Sequence, residues 1–468
     1  MKILAFSINP IFPDQVTGGA SKHLERLMLH LGSIGHDVVL LCAKTVVGVR
    51  RFKLGKNVEV KAILPFHLPF PQPYAVTPYE LTNIIRLIQG ELQQADRFYI
   101  HDSELLLPGL ATDIPVVCSV RDNIYPESVL GTFISQADEI ACVSQYSFDV
   151  VKYTAGAVLS QLNERLHLIP NGLDPQIFHP TDPSAVAKEL DLDLIRNRYL
   201  LFPHRPEAGK GFRESLEVLH ILVQQYGYSD LVLIAPDWLE GMRGSLEQEY
   251  KKEMLDLMEE KQLEDNVRFH KWLRQDQMAG YYSLGKITLS IGKNPEAFGN
   301  VAYESLACGT PSVVARVGTH RTQLPDHLIF KTDYGNPMAA AALCADILEK
   351  RTRVSAADQQ EVLSKLSLVR QLKGYTDLIV GAKKREPLKF EVGPASQKAF
   401  FKLAPWCELT NRGIFHDYIG KYLDANESGA IKKLIGHLKT NALISSEDLG
   451  FSTVNELIAK GVIVPVQA

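Results

Sequence analysis

The segment 287–315, ITLSIGKNPEAFGNVAYESLACGTPSVVA, decides the fold because it predicts a strand, a loop, a helix and a second strand in that order. Ile287–Ser290 and Ser312–Ala315 are short, β-branched apolar runs of the kind found in buried strands. Gly299 opens the predicted helix, and CGTP at 308–311 ends it. Two buried strands joined by a helix indicate a right-handed crossover in a parallel sheet.

The same alternation of strand and helix extends in both directions from this segment. A break near 171–198, rich in proline and turn-forming residues, separates the pattern into two halves. Each half predicts its own doubly wound parallel sheet covered by helices, so we expect two Rossmann-like domains in the α/β class. The other predicted strands are Ile3–Ile8, Val38–Cys42, Phe98–Ile100, Pro115–Val120, Glu139–Val143, Leu166–Ile169, Tyr199–Phe202, Leu231–Ala235 and Val267–Phe269.

We divide the chain into three predicted domains. Residues 1–175 form an N-terminal Rossmann-like domain, and 176–385 form a second one whose last helix can cross back to the first. The charged, proline-bearing segment Lys383–Pro394 is the predicted linker to a small domain at 395–468. That last domain has an α+β, winged-helix-like order of elements.

The small domain carries few functional signals. From residue 399 it has seven basic and seven acidic residues, a balance that argues against nucleic-acid binding despite the winged-helix-like order. Thr453, followed three residues later by Glu456, predicts a helix-capping box. We expect this domain to bind a peptide or protein or to mediate oligomerisation.

Composition bounds the class of protein. The chain has 468 residues, a net charge of −4 and 46% hydrophobic residues, which are ordinary values for a globular protein. Its six cysteines are far apart, and no pair has metal-ligand spacing, so we expect free thiols and no metal site. The start MKILAFSINPIF lacks the pattern of a signal peptide, and no run of about 18 apolar residues predicts a transmembrane helix. These features predict a cytoplasmic location.

The stretch around Gly299 predicts a binding site for a phosphate-bearing ligand. A glycine turn at a helix N-terminus lets backbone N–H groups approach a phosphate, and the helix dipole adds partial positive charge. Glu304 lies about a turn into the helix, where a carboxylate can reach ribose hydroxyls. Glu296 precedes the helix and can accept hydrogen bonds from sugar hydroxyls. Arg205 and Lys210, in the glycine-bearing loop PHRPEAGKGF at 203–212, can neutralise a leaving diphosphate.

Blander interpretations stand beside these. Two glutamates at this spacing also occur on solvated helix faces, and Arg205 and Lys210 could be ordinary surface charges. A phosphate-binding P-loop is excluded because it would need glycine at 204 and serine or threonine at 211. No GxGxxG follows the first strand, which argues against a nicotinamide enzyme.

Two further pairs of residues follow strands of the N-terminal half. Gly18 and Gly19 lie in the first β–α loop, which faces the ligand crevice of a doubly wound sheet, although they could serve a tight turn alone. His101 and Asp102 follow the predicted strand Phe98–Ile100, and a helix cap is the plainer role for Asp102.

Together these residues resemble glycosyltransferase family 4, whose members are retaining enzymes of the GT-B fold. The resemblance covers about 1–385 and depends on the order of several motifs. Besides the two-glutamate stretch with CGTP, they are TGGA at 17–20, SQADEIACVSQYSFDVV at 135–151, PNGLDPQIF at 170–178 and the loop with Arg205 and Lys210.

The resemblance implies a role for each matching residue. Gly18 and Gly19 match the loop that faces the donor diphosphate and the acceptor, and Arg205 and Lys210 match the basic pair that stabilises the leaving nucleotide. Glu296 matches the carboxylate near the donor sugar. The ribose-binding and phosphate-binding positions are matched by Glu304 and by Gly299, Asn300 and Val301. It also implies a nucleotide-sugar substrate, with a UDP-sugar favoured, no cofactor, no bound metal, and front-face attack in a cleft between the two domains.

Two departures from the family pattern concern the acceptor and the base. Arg121 and Asp122, in CSVRDNIYP, stand where family members often carry His-Asp, and arginine cannot act as a base at neutral pH. With His101 they are the candidate acceptor-side residues. Ala235, Pro236 and Asp237 replace the family's glycine-rich turn, so the base pocket is expected to differ.

The predicted function is transfer of a sugar from a nucleoside-diphosphate sugar to an acceptor hydroxyl. The acceptor could be a glycan, a lipid, a small metabolite or a peptide. Two alternatives stay open at this point: a nucleotide-sugar epimerase or hydrolase on the same fold, and a non-catalytic protein that binds nucleotide sugars or glycans.

Overall fold

The computed structural model describes residues 1–12, 18–44, 49–66, 74–107, 109–110, 113–238, 245–390, 400–426 and 428–466. Two compact units divide the chain. The first unit comprises Met1–Pro170 and Val369–Ala468, and the second comprises Asn171–Leu368. The three-domain division stays a prediction.

The strands described are β1 (Lys2–Ser7), β2 (Asp37–Ala43), β3 (Arg51–Gly55), β4 (Val58–Leu64), β5 (Arg97–Ile100), β6 (Val116–Val120), β7 (Glu139–Cys142), β8 (Leu166–Leu168), β9 (Arg198–Leu201), β10 (Leu231–Pro236), β11 (Val267–His270), β12 (Ile287–Ser290), β13 (Ser312–Ala315), β14 (Phe330–Thr332), β15 (Phe400–Leu403), β16 (Cys407–Thr410), β17 (Gly413–His416), β18 (Lys421–Leu423), β19 (Ile444–Ser445) and β20 (Ile463–Pro465).

The helices described are α1 (Gly19–Ser33), α2 (Pro78–Leu92), α3 (Pro126–Ile134), α4 (Gln145–Tyr153), α5 (Ala155–Val158), α6 (Ser184–Glu189), α7 (Phe212–Gln224), α8 (Ser245–Glu260), α9 (Met278–Leu284), α10 (Asn300–Ala307), α11 (Pro337–Glu349), α12 (Ala356–Lys365), α13 (Leu368–Gly381), α14 (Gly429–Leu438), α15 (Ser446–Leu449) and α16 (Phe451–Ala459).

The first unit is built on an eight-stranded sheet with the order β3-β4-β2-β1-β5-β6-β7-β8. All neighbours pair in parallel except β3 and β4, which form an antiparallel edge. The chain moves outward from β1 in one direction and from β5 in the other, so the topological switch lies between β1 and β5. Ligands of doubly wound sheets bind at the carboxyl ends of the strands at such a switch.

Helix α13 completes one face of the first sheet. Its Tyr375 and Ile379 are fully buried in a cluster that includes Ile3, Leu24 and Tyr99. The tyrosine hydroxyls find polar partners, as buried phenols usually do: the Tyr375 hydroxyl lies 3.2 Å from the Ser119 hydroxyl.

The second unit has a six-stranded, wholly parallel sheet with the order β11-β10-β9-β12-β13-β14. Its switch lies between β9 and β12. The loops that follow these two strands hold Arg205, Lys210 and Glu296, so the strand order alone brings the two loops to the same edge.

A smaller α+β module, residues 400–466, belongs to the first unit. It has two three-stranded antiparallel sheets, β19-β15-β20 and β16-β17-β18, packed with α14 to α16. The predicted α/β class with two Rossmann-like sheets and a small α+β module is therefore confirmed.

Several local predictions were wrong. Helix α16 begins at Phe451 with Gly450 as its N-cap, which places Thr453 inside the helix, and the capping box of the module belongs to Ser445 and Asp448 instead. Asp102 does not cap a helix: it lies inside a short 3-10 turn, His101–Ser103, in a left-handed conformation.

The described part of the predicted linker packs closely on the first sheet instead of crossing solvent. Leu388 is buried, its amide donates to the side chain of Gln136, and the amide of Arg385 donates to Asp138.

Candidate functional site

Two glycine-bearing loops of the second unit lie backbone to backbone. The loop after β9 carries Gly209 and Gly211, both with positive φ, and the loop after β12 carries Gly292. A Cβ atom at Gly211 would lie 2.5 Å from the backbone nitrogen of Gly292, and one at Gly292 would lie 2.3 Å from the carbonyl oxygen of Gly209. The amide of Asn294 also donates to the Gly209 carbonyl at 3.0 Å. Only glycine permits the two backbones to approach so closely. The contact fixes the positions of the side chains that these two loops carry.

This approach places Lys210 against Glu296. The Nζ atom lies 2.6 Å from Oε1 of Glu296, and both side chains are about four-fifths buried, with 19% and 23% of their surface exposed. Burial acts to raise the pKa of the Glu296 carboxyl, but the adjacent Lys210 cation outweighs it, and the pKa is lowered to about 2. Glu296 is therefore ionised at neutral pH and is paired with the Lys210 ammonium.

Two buried histidines line the same site. His204 Nε2 lies 3.1 Å from the Ser290 hydroxyl, and His320 Nδ1 lies 3.1 Å from the Tyr303 hydroxyl. Burial lowers the pKa of His204 to about 3 and that of His320 to about 4. Both rings are thus neutral at pH 7, and Lys210 supplies the positive charge beside Glu296.

Gly299 is the N-cap of α10 and has a left-handed conformation, with φ 76°. A Cβ atom at this position would lie 2.3 Å from Cε1 of His320, so the histidine ring occupies the space that glycine leaves. Asn300 and Val301 are the first two residues of α10, and their backbone N–H groups lack partners within the helix by construction. Glu304, one turn later, accepts a 2.8 Å hydrogen bond from the buried Tyr282 hydroxyl, which fixes its carboxylate.

Arg205 is not joined to the Lys210–Glu296 pair. Its Nε lies 3.2 Å from Oε1 of Glu207, and its side chain is 45% exposed. The structure therefore brings one of the two predicted cations to Glu296 and leaves the other in a local ion pair on the same loop.

In the first unit, His101 follows β5 and is buried between two partners. Its Nδ1 lies 3.0 Å from the Tyr99 hydroxyl, and its Nε2 lies 3.1 Å from the backbone carbonyl of Ala20 in α1. The ring also stacks on His23, with centroids 5.7 Å apart. Burial lowers the pKa of His101 well below its ordinary value, so the ring is neutral.

Arg121 and Asp122 follow β6 and stand beside a second group of acids. Arg121 donates to the Tyr375 hydroxyl at 3.2 Å, and its backbone amide bonds to the Asp102 carboxyl. Burial, together with the nearby charge of Asp122, raises the pKa of Asp102 to about 7. Burial, together with the nearby carboxyl groups of Asp102 and Asp122, raises the pKa of Glu104 to about 9. Among the described residues, Oδ1 of Asp102 and Oε2 of Glu104 are buried without a hydrogen-bond partner.

Gly18 and Gly19 begin α1 on the other side of the switch in the first sheet. Gly18 is the N-cap with a fully extended backbone, and a Cβ atom there would meet nothing within 4 Å. Neither steric contact nor the value of φ requires glycine at position 18. The local backbone therefore does not explain why a glycine stands there. Thr17, the first residue of the predicted TGGA motif, lies outside the described residues.

Several residues of both sites were not predicted from the sequence. In the second unit they are His204, Ser290, Asn294, Tyr303 and His320, and in the first unit they are His23, Glu104, Gln371 and Tyr375. His204 and Ser290 stand at or just beyond a strand end, a signal that could have found them. His320 and Tyr375 come from later elements and had no such signal.

The described residues hold neither a metal-binding cluster nor a membrane-spanning helix. No group of three or more metal-ligating side chains is present within them, and no helix among them has the length and apolar character needed to cross a bilayer.

Comparison with known proteins agrees with the fold and with the motifs. The model of the family Glycosyltransferase Family 4 matches residues 17–177, and that of Glycosyl transferases group 1 matches 195–364. Among solved structures, Anabaena Alr3699/HepE in complex with UDP and glucose superposes with a TM-score of 0.63, covering 81% of this chain and 100% of that one at 18% identity. WaaG, described as a glycosyltransferase involved in lipopolysaccharide biosynthesis, has a TM-score of 0.60, 14% identity and the same 81% coverage, with 100% of its own chain matched.

Curated relatives match only in part. The D-inositol 3-phosphate glycosyltransferase of Acidothermus cellulolyticus is 30% identical over 167 residues, which is 35% of this chain and 36% of the relative. The next two relatives are matched over 46% and 44% of their own lengths. The phosphatidylinositol N-acetylglucosaminyltransferase gpi3 subunit of Schizosaccharomyces pombe is 26% identical over 334 residues, 66% of each chain. The two family models cover both Rossmann-like halves in the expected order, and the chain belongs to glycosyltransferase family 4, with the GT-B fold.

Proposed function

We propose that this chain transfers a glycosyl group, with retention of configuration, from a nucleoside-diphosphate sugar to an acceptor hydroxyl. One observation carries the proposal: the Lys210–Glu296 pair, 2.6 Å apart, lies beside the N-cap of α10 at the switch point of the second sheet. This position is where doubly wound sheets bind phosphate-bearing ligands.

Lys210 and the N-terminus of α10 act on the leaving diphosphate. As the bond to the sugar breaks, negative charge grows on the phosphate oxygen, and a fixed ammonium together with unpaired backbone N–H groups stabilises it. Asn300 and Val301 supply those N–H groups, and Gly299 keeps the approach open. Arg205, half exposed on the same loop, adds a second cation after it leaves Glu207.

The carboxylates hold the two sugars of the donor. Glu296 stays ionised because Lys210 holds its pKa near 2, so it accepts hydrogen bonds from hydroxyls of the transferred sugar. Glu304, fixed by Tyr282, accepts hydrogen bonds from the ribose. Arg121, Asp122 and His101 contact the acceptor, and Gly18 and Gly19 face the donor diphosphate.

The donor is a UDP-sugar in this proposal, and its sugar is left to a screen of UDP-, GDP- and ADP-linked donors. The acceptor panel includes inositol phosphate, since several curated relatives are named for it. All six cysteines are free and buried, which suits a reducing compartment, and we place the protein in the cytoplasm. Transfer needs no metal, so excess EDTA should leave the rate unchanged.

The test uses Lys210→Ala and Glu296→Gln, with Lys350→Ala as a matched control. Lys350 also pairs with a carboxylate, Asp346 at 2.6 Å, but it is exposed at the C-cap of α11. Loss of one group that stabilises developing charge costs on the order of 100-fold in kcat, and the control should keep its rate. Near-normal kcat in both site variants would reject the assigned roles.

The same assay separates the alternatives. Rapid loss of donor without acceptor would favour a hydrolase or epimerase. Donor binding without turnover across the acceptor panel would favour a non-catalytic binding protein.

A further inference from the structure

The module of residues 400–466 packs against α4 of the first unit. Tyr146 and Val150 of α4 are buried in one cluster with Phe401, Ile414 and other apolar residues of the module. At the edge of this contact, the Lys402 ammonium lies 4.4 Å from the centre of the Tyr153 ring. The module therefore has a fixed position on the first unit, although neither family model extends beyond residue 364.

The turn between β17 and β18, residues 417–420, is held rigidly. The Asp417 amide donates to the Trp406 carbonyl at 2.9 Å, and the Gly420 amide donates to the His416 carbonyl at 2.8 Å. The Trp406 indole is itself fixed by a 2.6 Å hydrogen bond to the Gly461 carbonyl. We call residues 417–420 the module turn.

Neighbouring residues of α4 hold the module turn beside the candidate acceptor residues. The Tyr146 hydroxyl donates to Oδ2 of Asp417 at 2.8 Å. The next residue, Ser147, donates to Oδ1 of Asn123 at 3.0 Å, and Asn123 directly follows Asp122. Two hydrogen bonds from consecutive residues thus bring the turn and the segment after β6 together.

The charges agree with this placement. Burial raises the pKa of the Tyr418 phenol, and the nearby carboxylates of Asp417 and Asp122 raise it further. Asp122 also acts on Asp102 and Glu104, so it lies between the turn and the buried acids after β5. One of those acids, Asp102, is more than nine-tenths buried and has an oxygen without a partner among the described residues.

The exposed surface of the turn has the chemistry of a sugar subsite. Tyr418 is 42% exposed and Ile419 47%, and the Ile419 amide donates to Nδ1 of His416 at 3.4 Å. The Tyr418 ring is supported by the rings of Trp406 and His416, with centroids 6.0 and 6.4 Å away. A rigid aromatic face with an apolar neighbour packs against the C–H face of a sugar ring, while an adjacent carboxylate accepts hydrogen bonds from its hydroxyls.

We propose that the module turn forms one wall of the acceptor subsite, where the Tyr418 ring packs on an uncharged sugar ring whose hydroxyls bind Asp122. The inference rests on the proposed glycosyl transfer. It identifies the acceptor as a neutral saccharide or glycoside, and it gives the module a role in acceptor choice. The negative charge of the Asp122 carboxylate disfavours a phosphate at this wall.

The experiment measures steady-state transfer to methyl and p-nitrophenyl glycosides of neutral hexoses, with inositol phosphate as the charged comparison. Tyr418→Ala and Tyr418→Leu should each raise the acceptor KM about tenfold, since about 1.4 kcal/mol of binding corresponds to tenfold. Tyr418→Phe keeps the ring and should stay within threefold of the parent. The donor KM and the slow hydrolysis of donor without acceptor should be unchanged in all three.

Phe451→Ala is the matched control, because Phe451 is 65% exposed on α16 of the same module. It should leave every constant unchanged, and thermal melting of each variant should stay within a few degrees of the parent. An unchanged acceptor KM in Tyr418→Ala overturns the inference, as does a preference of the parent for inositol phosphate. A parent that neither transfers nor hydrolyses any donor would instead reject the proposed function itself.

Discussion

At the scale of single residues, the second unit uses one lysine to keep a buried glutamate ionised. Glu296 has a pKa of about 2 in the folded state against an ordinary value of 4.5. A pKa lowered by folding contributes stability that is present above about pH 4.5 and is lost as the pH falls toward 2. The contribution at neutral pH is about 3 kcal/mol, since each pKa unit is worth about 1.4 kcal/mol.

Lys210→Met should reverse this pH dependence. Without the ammonium, burial dominates and raises the pKa of Glu296, so the unfolding free energy of the variant should increase as the pH falls from 7 to 4. The parent should show a smaller gain over this range, because its Glu296 contributes none of it and only groups such as Glu104 do. Urea unfolding at several pH values measures the slope, and Lys350→Met should follow the parent. The double variant Lys210→Met with Glu296→Gln should return to the slope of the parent, and a parent-like slope in Lys210→Met alone would contradict the assignment.

Glu104 in the first unit should behave in the opposite way. Its pKa is raised by burial to about 9, so the folded state holds a proton that the unfolded state releases near pH 4.5. The stability of the parent should therefore decline between about pH 4.5 and 9, and Glu104→Gln should remove part of that decline. The variant should melt near the parent at pH 5 and above it at pH 9. Equal melting temperatures at pH 9 would show that Glu104 is ionised at no cost.

The sequence indicated most acids and cations of both sites, but not Glu104 and not how the charged groups pair. Lys210 and Glu296 are 86 positions apart, and their contact depends on the order β9–β12, which the sequence pattern does not give. Arg205 has Glu207 two residues away, a local partner that the family resemblance did not take into account. The left-handed conformation of Asp102 is also invisible to residue patterns, because it depends on the burial of the whole turn.

At the scale of elements, long apolar runs were predictable and short or exposed strands were not. The predicted strands at Leu231–Ala235 and Ser312–Ala315 match β10 and β13 within a residue because both are buried on two faces. The strand β4 was missed although its burial alternates along VEVKAIL, as expected for a strand with one face on the core. The strands of the small module have two to four residues, too few for a period to show.

The close approach of the loops after β9 and β12 requires a glycine at position 211. Gly211→Ala places a Cβ atom 2.5 Å from the Gly292 nitrogen at a φ of 100°, so the loops must separate. Gly227→Ala is the matched control, with a φ of 75° and nothing within 4 Å. The control should cost about 1 kcal/mol from backbone strain alone, whereas Gly211→Ala should cost more and also lower kcat strongly. Equal effects of the two substitutions on stability and rate would show that loop contact does not position Lys210.

At the scale of the whole molecule, the proposed donor and acceptor sites are built mainly on different sheets. Apart from Gly18 and Gly19, the proposed donor residues lie on the second unit, whereas the acceptor candidates and the small module belong to the first. A nucleotide that binds the second unit should therefore protect amides most strongly in the loop after β9 and at the start of α10. A nucleotide present at 100 times its Kd stabilises the folded state by about 2.7 kcal/mol.

Hydrogen exchange with saturating UDP tests this division. Amides of the loop 203–211 and of Asn300 and Val301 should exchange more slowly, because the diphosphate occupies the N-terminus of α10. Lys210→Met should abolish the protection and Lys350→Met should keep it, since only the former removes charge from the site. The module of residues 400–466 should show little change with UDP and should respond to a neutral glycoside instead. Protection by UDP centred on the module, or protection that persists in Lys210→Met, would place the nucleotide elsewhere than at the Lys210–Glu296 pair.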